Sequence, residues 1–191
     1  MKKRYNEERP TETALSVVAE AVERAMAEGR KPKILFVCLG NICRSPAAQG
    51  IAEKIAGERG VSIECDSAGF YGGHAGQLPD RRMREAAFGR GYRLEHRARR
   101  IRLSDLDDFD IVIGMDDSNM DDLHRLADTD ERDSKIIRMT DFATGHHEYD
   151  CVPDPYYEGA AGFQLVLNLL EDACGVLVNE IKTANRKGGK P

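Results

Sequence analysis

The sequence predicts an α/β fold, a single domain built on a parallel sheet. Three observations lead there. Short apolar runs rich in β-branched residues alternate with segments of helical periodicity, the pattern of βαβ units. The clearest run, residues 34–37, passes directly into a loop holding Gly40 and the pair Ser45-Pro46, after which a helical apolar face begins. The 191 residues suffice to bury one core and leave no room for a second catalytic domain.

In chain order, Met1 to Pro10 are charged and polar, and Ala14, Leu15, Val18, Val22, Ala25 and Met26 then fall at helical spacing, with Thr11 or Thr13 as N-cap and Gly29 as terminator. This N-terminal helical extension, residues 1–30, is expected to pack on the core in preference to mediating self-association. The catalytic domain is expected over 31–184. Its strands are placed at 34–37, 61–65, 111–115 and 135–138, and its helices at 46–58, 80–90, 118–127 and 160–182. Residues 140–159 stand out as loop-rich, and 185–191 form a polar tail. Ligands of such sheets sit where strands hand the chain to helix N-termini.

Composition narrows the chemistry. The chain is 41% hydrophobic and 32% charged, with no apolar run of the ~20 residues that cross a bilayer, so a soluble globular protein with no membrane partner is expected. Its net charge of -5 repels nucleic acid, so an anionic substrate needs a local array of donors. The five cysteines, at 38, 43, 65, 151 and 174, are odd in number and scattered, which fits reduced thiols in the cytoplasm. No signal-peptide apolar core precedes residue 30.

The loop Cys38-Leu39-Gly40-Asn41-Ile42-Cys43-Arg44-Ser45-Pro46 carries the chemistry. Ser45 suits the N-cap of the following helix and Pro46 its first position, so the free amides from Leu39 to Cys43 can converge on a phosphate-sized dianion. Cys38 stands at the entrance, with Arg44 six residues later. Convergent amides and a guanidinium favour a thiolate nucleophile, and Arg44 can clamp two phosphoryl oxygens bidentately where lysine cannot. The Walker-type pattern is absent, which disfavours nucleotide hydrolysis. The spacing of Cys38 and Cys43 within one tight loop also gives Cys43 a candidate redox role, capture of an oxidised Cys38 as a disulfide; the alternative is a small apolar filler.

From Val37 to Pro46 the sequence resembles the V-C-x-G-N-x-C-R-S-P signature of the low-molecular-weight protein tyrosine phosphatases, and family-like segments follow at Asp66-Ser67-Ala68-Gly69, Pro79-Asp80, His96, Met115-Asp116-Asp117-Ser118-Asn119 and Asp154-Pro155-Tyr156. The resemblance spans about residues 33–182. It implies a four-stranded parallel sheet flanked by helices, a phosphocysteine mechanism and no metal or other cofactor. The first 30 or so residues depart from the family, whose members begin close to the first strand.

A phosphotyrosine leaving group of pKa ~10 needs a general acid. The resemblance assigns that role to Asp154, in the proline-bounded loop Pro153-Asp154-Pro155, and gives the neighbouring Tyr156 and Tyr157 to substrate binding. Phe70 or Tyr71 is the candidate for an opposite wall. Asn41, Ser45, Ser67 and His96 match a polar network which, by the resemblance, props the loop and, through Ser45, supports the thiolate. His146, His147, Glu148 and Asp150 lack the helical spacing of a metal site and are read as a solvated loop. The aspartates at 105, 107 and 108 and at 116 and 117 are read as helix N-terminal charges. The expected partner is a tyrosine-phosphorylated protein, for which a bacterial tyrosine kinase is a candidate; the oligomeric state is left open. The rival readings are a thiol-coupled arsenate reductase, which would need a close relay of further cysteines, and a silent phosphoprotein-binding module, which would need neither Cys38 nor Asp154.

Overall fold

The structure, a computed structural model, describes residues 8–188. The remaining residues of the extension and of the tail, 1–7 and 189–191, lie outside the described residues. In chain order the elements are α1 (Glu12–Ala27), β1 (Lys33–Cys38), α2 (Arg44–Arg59), β2 (Glu64–Gly69), α3 (Arg81–Phe88), α4 (Asp105–Asp108), β3 (Ile111–Gly114), α5 (Asp117–Leu126), α6 (Asp130–Asp133), β4 (Ile136–Arg138) and α7 (Gly159–Gly188), with 3-10 turns at Gly72–His74, Met139–Phe142 and Pro155–Tyr157. The four strands form one sheet in the order β2-β1-β3-β4, all pairs parallel.

Both faces of the sheet are covered, as a parallel sheet requires. Alternation along β1 sends Ile34, Phe36 and Cys38 into the larger core with α1, α2 and α7, and Leu35 and Val37 into a smaller one with Ile101, Leu106, Phe109 and Leu123. The helix α1 begins at Thr11, whose side chain accepts from the Ala14 amide at 3.3 Å. Val17, Val18 and Val22 of α1 sit in the larger core, each contributing about 1.5–3 kcal/mol by burial. The N-terminal helix therefore shares one apolar core with the sheet and is not a separate unit. At the start of β1, Asp110 accepts from the Lys33 amide at 2.8 Å and from both terminal nitrogens of Arg30, at 2.5 and 2.7 Å. Burial opposes the charge on Asp110, but these donors outweigh it and hold the carboxyl below its usual range.

Three expectations need correction. The second strand lies at Glu64–Gly69 and not at 61–65, because β1 pairs Lys33 with Glu64 and Cys38 with Gly69, and Val61 and Ile63 only pack against the core edge. The helix after the loop begins at Arg44, so Cys43 is the capping residue, with no side-chain bond, and Ser45 lies inside the first turn. Its hydroxyl is occupied elsewhere, and Pro46 at the third position still costs no hydrogen bond. Residues 185–188, read as tail, continue α7. The loop-rich 140–159 stretch holds the end of the 3-10 turn Met139–Phe142, the turn Pro155–Tyr157 and the start of α7.

Candidate active site

The loop between β1 and α2 lies at the centre of the sheet, where β1 has β2 on one side and β3 on the other. Ligands of open α/β sheets bind at such strand ends. The chain turns at Asn41, the one non-glycine among the described residues with a positive φ, 54°. Asparagine tolerates this left-handed conformation better than most side chains. The turn brings the Asn41 amide to Cys38 Sγ, 3.3 Å. Gly69 permits the turn from the other side, because a Cβ there would meet Leu39 O at 2.7 Å and the Asn41 amide nitrogen at 2.8 Å.

The Asn41 side chain holds the loop in place. Its Nδ2 donates to Ser45 Oγ and to Ser67 Oγ, each at 2.9 Å, and its Oδ1 accepts from the Arg99 amide at 2.9 Å and faces His96 Nε2 at 3.2 Å. An oxygen acceptor at that position assigns the ring proton to His96 Nε2. Burial, and to a lesser degree Arg99, push the His96 pKa down against the pull of Asp66. Ser67 Oγ in turn donates to Gln49 Oε1 at 2.8 Å. Since Ser45 Oγ accepts from Asn41, its single proton is left for Cys38 Sγ at 3.0 Å or Ala68 O at 3.3 Å. Ser45, expected as a cap and, from the resemblance, as support for the thiolate, points at the sulfur. Arg99, which also grips Asp66 Oδ2 at 2.7 Å and Asp105 Oδ2 at 2.9 Å, ties this network to the segment before β3.

Arg44 is buried and shared among three acceptors. One terminal nitrogen donates to Asp116 and to Val152 O at 3.2 Å, and the other to Asp154 Oδ2 at 2.9 Å. Burial opposes its charge, but Cys38, Asp154 and Asp116 outweigh it and raise the guanidinium pKa. Asp154 starts the 3-10 turn Pro155–Tyr157, with Oδ1 accepting from the Tyr156 amide at 3.1 Å. Asp116 is a helix cap as expected, accepting from the Asn119 amide at 2.8 Å, and with its other oxygen it also fixes Arg44. That second task was not read from the sequence.

Cys38, Leu39, Gly40, Ile42, Cys43 and Arg44 form the floor and sides of a cavity of about 340 Å3. Asp154, Tyr156 and Tyr157 wall one side, and Tyr71 and His74 the other. The opposite wall is therefore Tyr71, while Phe70 packs into the smaller core. Tyr157 is 93% exposed against 38% for Tyr156, so Tyr156 is the better-anchored ring, with Arg82 5.1 Å from its centre and donating to its carbonyl at 3.0 Å. His74, 5.4 Å from the Tyr71 ring, escaped the sequence reading because only the 3-10 turn brings it to the mouth. Burial, then Asp80 and Cys38, push the Cys43 thiol well up, so Cys43 stays protonated beside Cys38. Cys65, Cys151 and Cys174 do not line this cavity. His146 faces Glu148 at 3.5 Å, and among the described residues no three metal-ligating side chains gather. A larger groove of about 890 Å3 between α1 and α7 holds none of these groups, so volume does not locate the chemistry here.

Comparison with known proteins bears on the same segment. A sequence model described as low molecular weight phosphotyrosine protein phosphatase matches residues 33–187. The Bacillus subtilis low molecular weight protein-tyrosine-phosphatase YfkJ is 39% identical over 152 residues, covering 78% of this chain and 95% of that protein. Its crystal structure superposes with a TM-score of 0.72 at 35% identity, covering 85% of this chain and 99% of that one. The human low molecular weight phosphotyrosine protein phosphatase is 32% identical over 151 residues, covering 78% and 95%. A crystal structure of a protein tyrosine phosphatase from Entamoeba histolytica, with Hepes in its active site, superposes with a TM-score of 0.77 at 40% identity, covering 80% and 98%.

Proposed function

The chain belongs to the low molecular weight phosphotyrosine protein phosphatase family, and from that membership we propose that its cavity hydrolyses phosphotyrosine on proteins through a covalent phosphocysteine at Cys38. The observation that carries this reading is the meeting of Cys38, Arg44 and Asp154 in one cavity, although Arg44 and Asp154 are 110 residues apart in the chain. Cys38 Sγ attacks phosphorus in line, forming the S–P bond as the P–O bond to the phenol breaks. Arg44 and the amides from Leu39 to Cys43 hold the equatorial oxygens, and Asp154 gives its proton to the departing phenolate. Water then attacks phosphorus, Asp154 takes the proton, and the thiolate leaves with phosphate released. Ser45 steadies the sulfur in both half-reactions by its hydroxyl.

Phosphoryl oxygens compete with Asp154 for Arg44, and the carboxyl displaced from the guanidinium is placed beside the leaving group. Tyr156, Tyr157 and Tyr71 stack against the substrate ring. The exposed mouth at Tyr157 suits a phosphotyrosine on a flexible segment, and a bacterial tyrosine kinase is the partner we propose. Five cysteines free of disulfides support a reducing compartment, the cytoplasm.

The deciding experiment compares phosphotyrosine peptide, phosphoserine peptide and arsenate without added metal, with rapid quench of labelled substrate. Wild type should turn over phosphotyrosine and trap phosphate on Cys38, whereas Cys38→Ser should bind vanadate and trap nothing. Appreciable turnover by Cys38→Ser, or equal rates on phosphoserine, would overturn the reading.

A further inference from the structure

The family match begins at residue 33, yet the chain ahead of it reaches the loop that carries Asp154. Arg9, whose side chain is only 3% exposed, donates from one terminal nitrogen to Tyr149 O at 3.0 Å and His146 O at 3.3 Å. Its other terminal nitrogen lies 3.5 Å from Asp150 Oδ1. Two residues on, the Thr11 amide donates to Asp141 O at 3.1 Å. The segment so gripped has no regular structure between the 3-10 turn ending at Phe142 and the one opening at Pro155. Its other ties include Asp172 of α7, which accepts from the Gly145 amide at 2.8 Å and Thr144 Oγ1 at 3.3 Å, Thr140 Oγ1, which donates to Asp150 O at 2.9 Å, and the Tyr149 amide, which donates to His146 O at 3.1 Å.

Three residues, Cys151 to Pro153, separate the last contact of Arg9 from Asp154. Within them the Val152 amide donates to Met115 O at 2.8 Å, its carbonyl accepts from Arg44, and Pro153 stiffens the approach. Beyond Asp154, Arg82 holds the Tyr156 carbonyl. The carboxyl is thus suspended between two arginine clamps, of which the upstream one comes from ahead of the family's shared fold. A planar guanidinium spreads its five donors over several acceptors at once, here two carbonyls from one terminal nitrogen and a carboxylate facing the other.

We propose that Arg9 is a positioning residue for the general acid: it clamps the segment ending at Asp150 so that Asp154 presents its proton at a fixed point above Cys38. The inference rests on the reading of Asp154 as the acid. Without Arg9, Val152 remains pinned by Met115 and Arg44, so phosphate binding and the attack of Cys38 persist while the spread of Asp154 positions widens. Protonation of a poor leaving group suffers and departure of a good one does not.

The test uses the full chain and two substrates, phenyl phosphate and p-nitrophenyl phosphate. Arg9→Met should lower kcat/KM, which reports the steps up to leaving-group departure and not the later hydrolysis that both substrates share, about tenfold on the first, short of the ~10²-fold that a 1 Å misplacement costs, with little change on the second and with vanadate inhibition unchanged. Arg9→Lys, which keeps a cationic donor, should fall between and serves if Arg9→Met does not fold. In an Asp154→Asn background Arg9→Met should add nothing, since residues acting through one group are not additive. Equal losses on both substrates, no loss on phenyl phosphate, or an undiminished effect in the double variant would overturn the proposal. Asp154→Asn alone separates the two readings. If it shows no leaving-group dependence, the acid assignment has failed; if it does and Arg9→Met does not, only the clamp has.

Discussion

Replacing Asn41 separates what its side chain does from what its backbone needs. Asn41→Gly removes hydrogen bonds to Ser45, Ser67, the Arg99 amide and His96 while leaving the left-handed turn unstrained. At ~1 kcal/mol net per bond the loss is about 4 kcal/mol. Ser45 keeps Cys38 or Ala68 as an alternative and Ser67 keeps Gln49, so the Arg99 amide is the donor left most exposed to the penalty, and about 3–4 kcal/mol is expected. Asn41→Ala loses the same bonds and in addition holds a Cβ at a φ of 54°, which adds about 1–2 kcal/mol. Urea unfolding at fixed slope reads both, and the thermal midpoint should drop by roughly 6–16 °C for the glycine variant. Turnover should fall about tenfold or more in both, the rate equivalent of ~1.4 kcal/mol, because the Ser45 hydroxyl is no longer aimed at the sulfur. A loss under about 1 kcal/mol, the value of a single hydrogen bond, in Asn41→Gly, or equal losses in the two variants, would refute this account of the loop.

Gly69→Ala should cost about 1–3 kcal/mol by overpacking and lower turnover, since its Cβ would press on backbone atoms of Leu39, Gly40 and Asn41; unaltered activity and urea midpoint would show that the loop yields freely. His96 is held neutral by burial and Arg99, so the unfolded chain, with an ordinary histidine pKa of ~6.5, takes up the proton first. Its contribution to stability should fall as pH drops through about 6.5 towards the lower folded value, and His96→Gln should show a smaller loss between about pH 7.5 and 5.5; identical curves would count against the assignment. Peroxide should convert Cys38 to a sulfenic acid, which the Cys43 thiol captures with loss of water, so dithiothreitol should restore wild type but not Cys43→Ala. Equal recovery of both, with no linked peptide by mass spectrometry, would leave Cys43 as a filler.

The strand, loop and helix from residue 34 onward were legible because apolar pattern, Gly40, Arg44 and Pro46 point the same way. The second strand was misplaced for a chemical reason. Cys65, Asp66 and Ser67 carry little strand signal, and two of them are polar because they serve the loop: Ser67 receives Asn41, and Asp66 receives Arg99. Ser45 was read locally as a cap, since a serine before a proline at a helix start suits one, and its place beside the sulfur was legible only through the family resemblance. Asp116 is 72 residues from Arg44, and nothing local distinguishes a capping carboxylate whose second oxygen is spoken for. The clamp by Arg9 depends on a contact 140 residues distant and leaves no local trace in the sequence.

The helix α7, the last described element, has a further consequence during synthesis. It packs against α1, α2, the turn at Met139–Phe142 and the turn at Pro155–Tyr157. A nascent chain released as far as Tyr157 would already contain Cys38, Arg44 and Asp154, yet α1 and α2, though able to lie on the sheet, would lack the helix that closes their core, and the acid turn would lack its support from α7. Contacts that close so late in sequence form slowly. Competence to remove phosphate therefore arrives when α7 clears the ribosome, and an unfinished polypeptide exposes a reactive cysteine without the cavity that disciplines it.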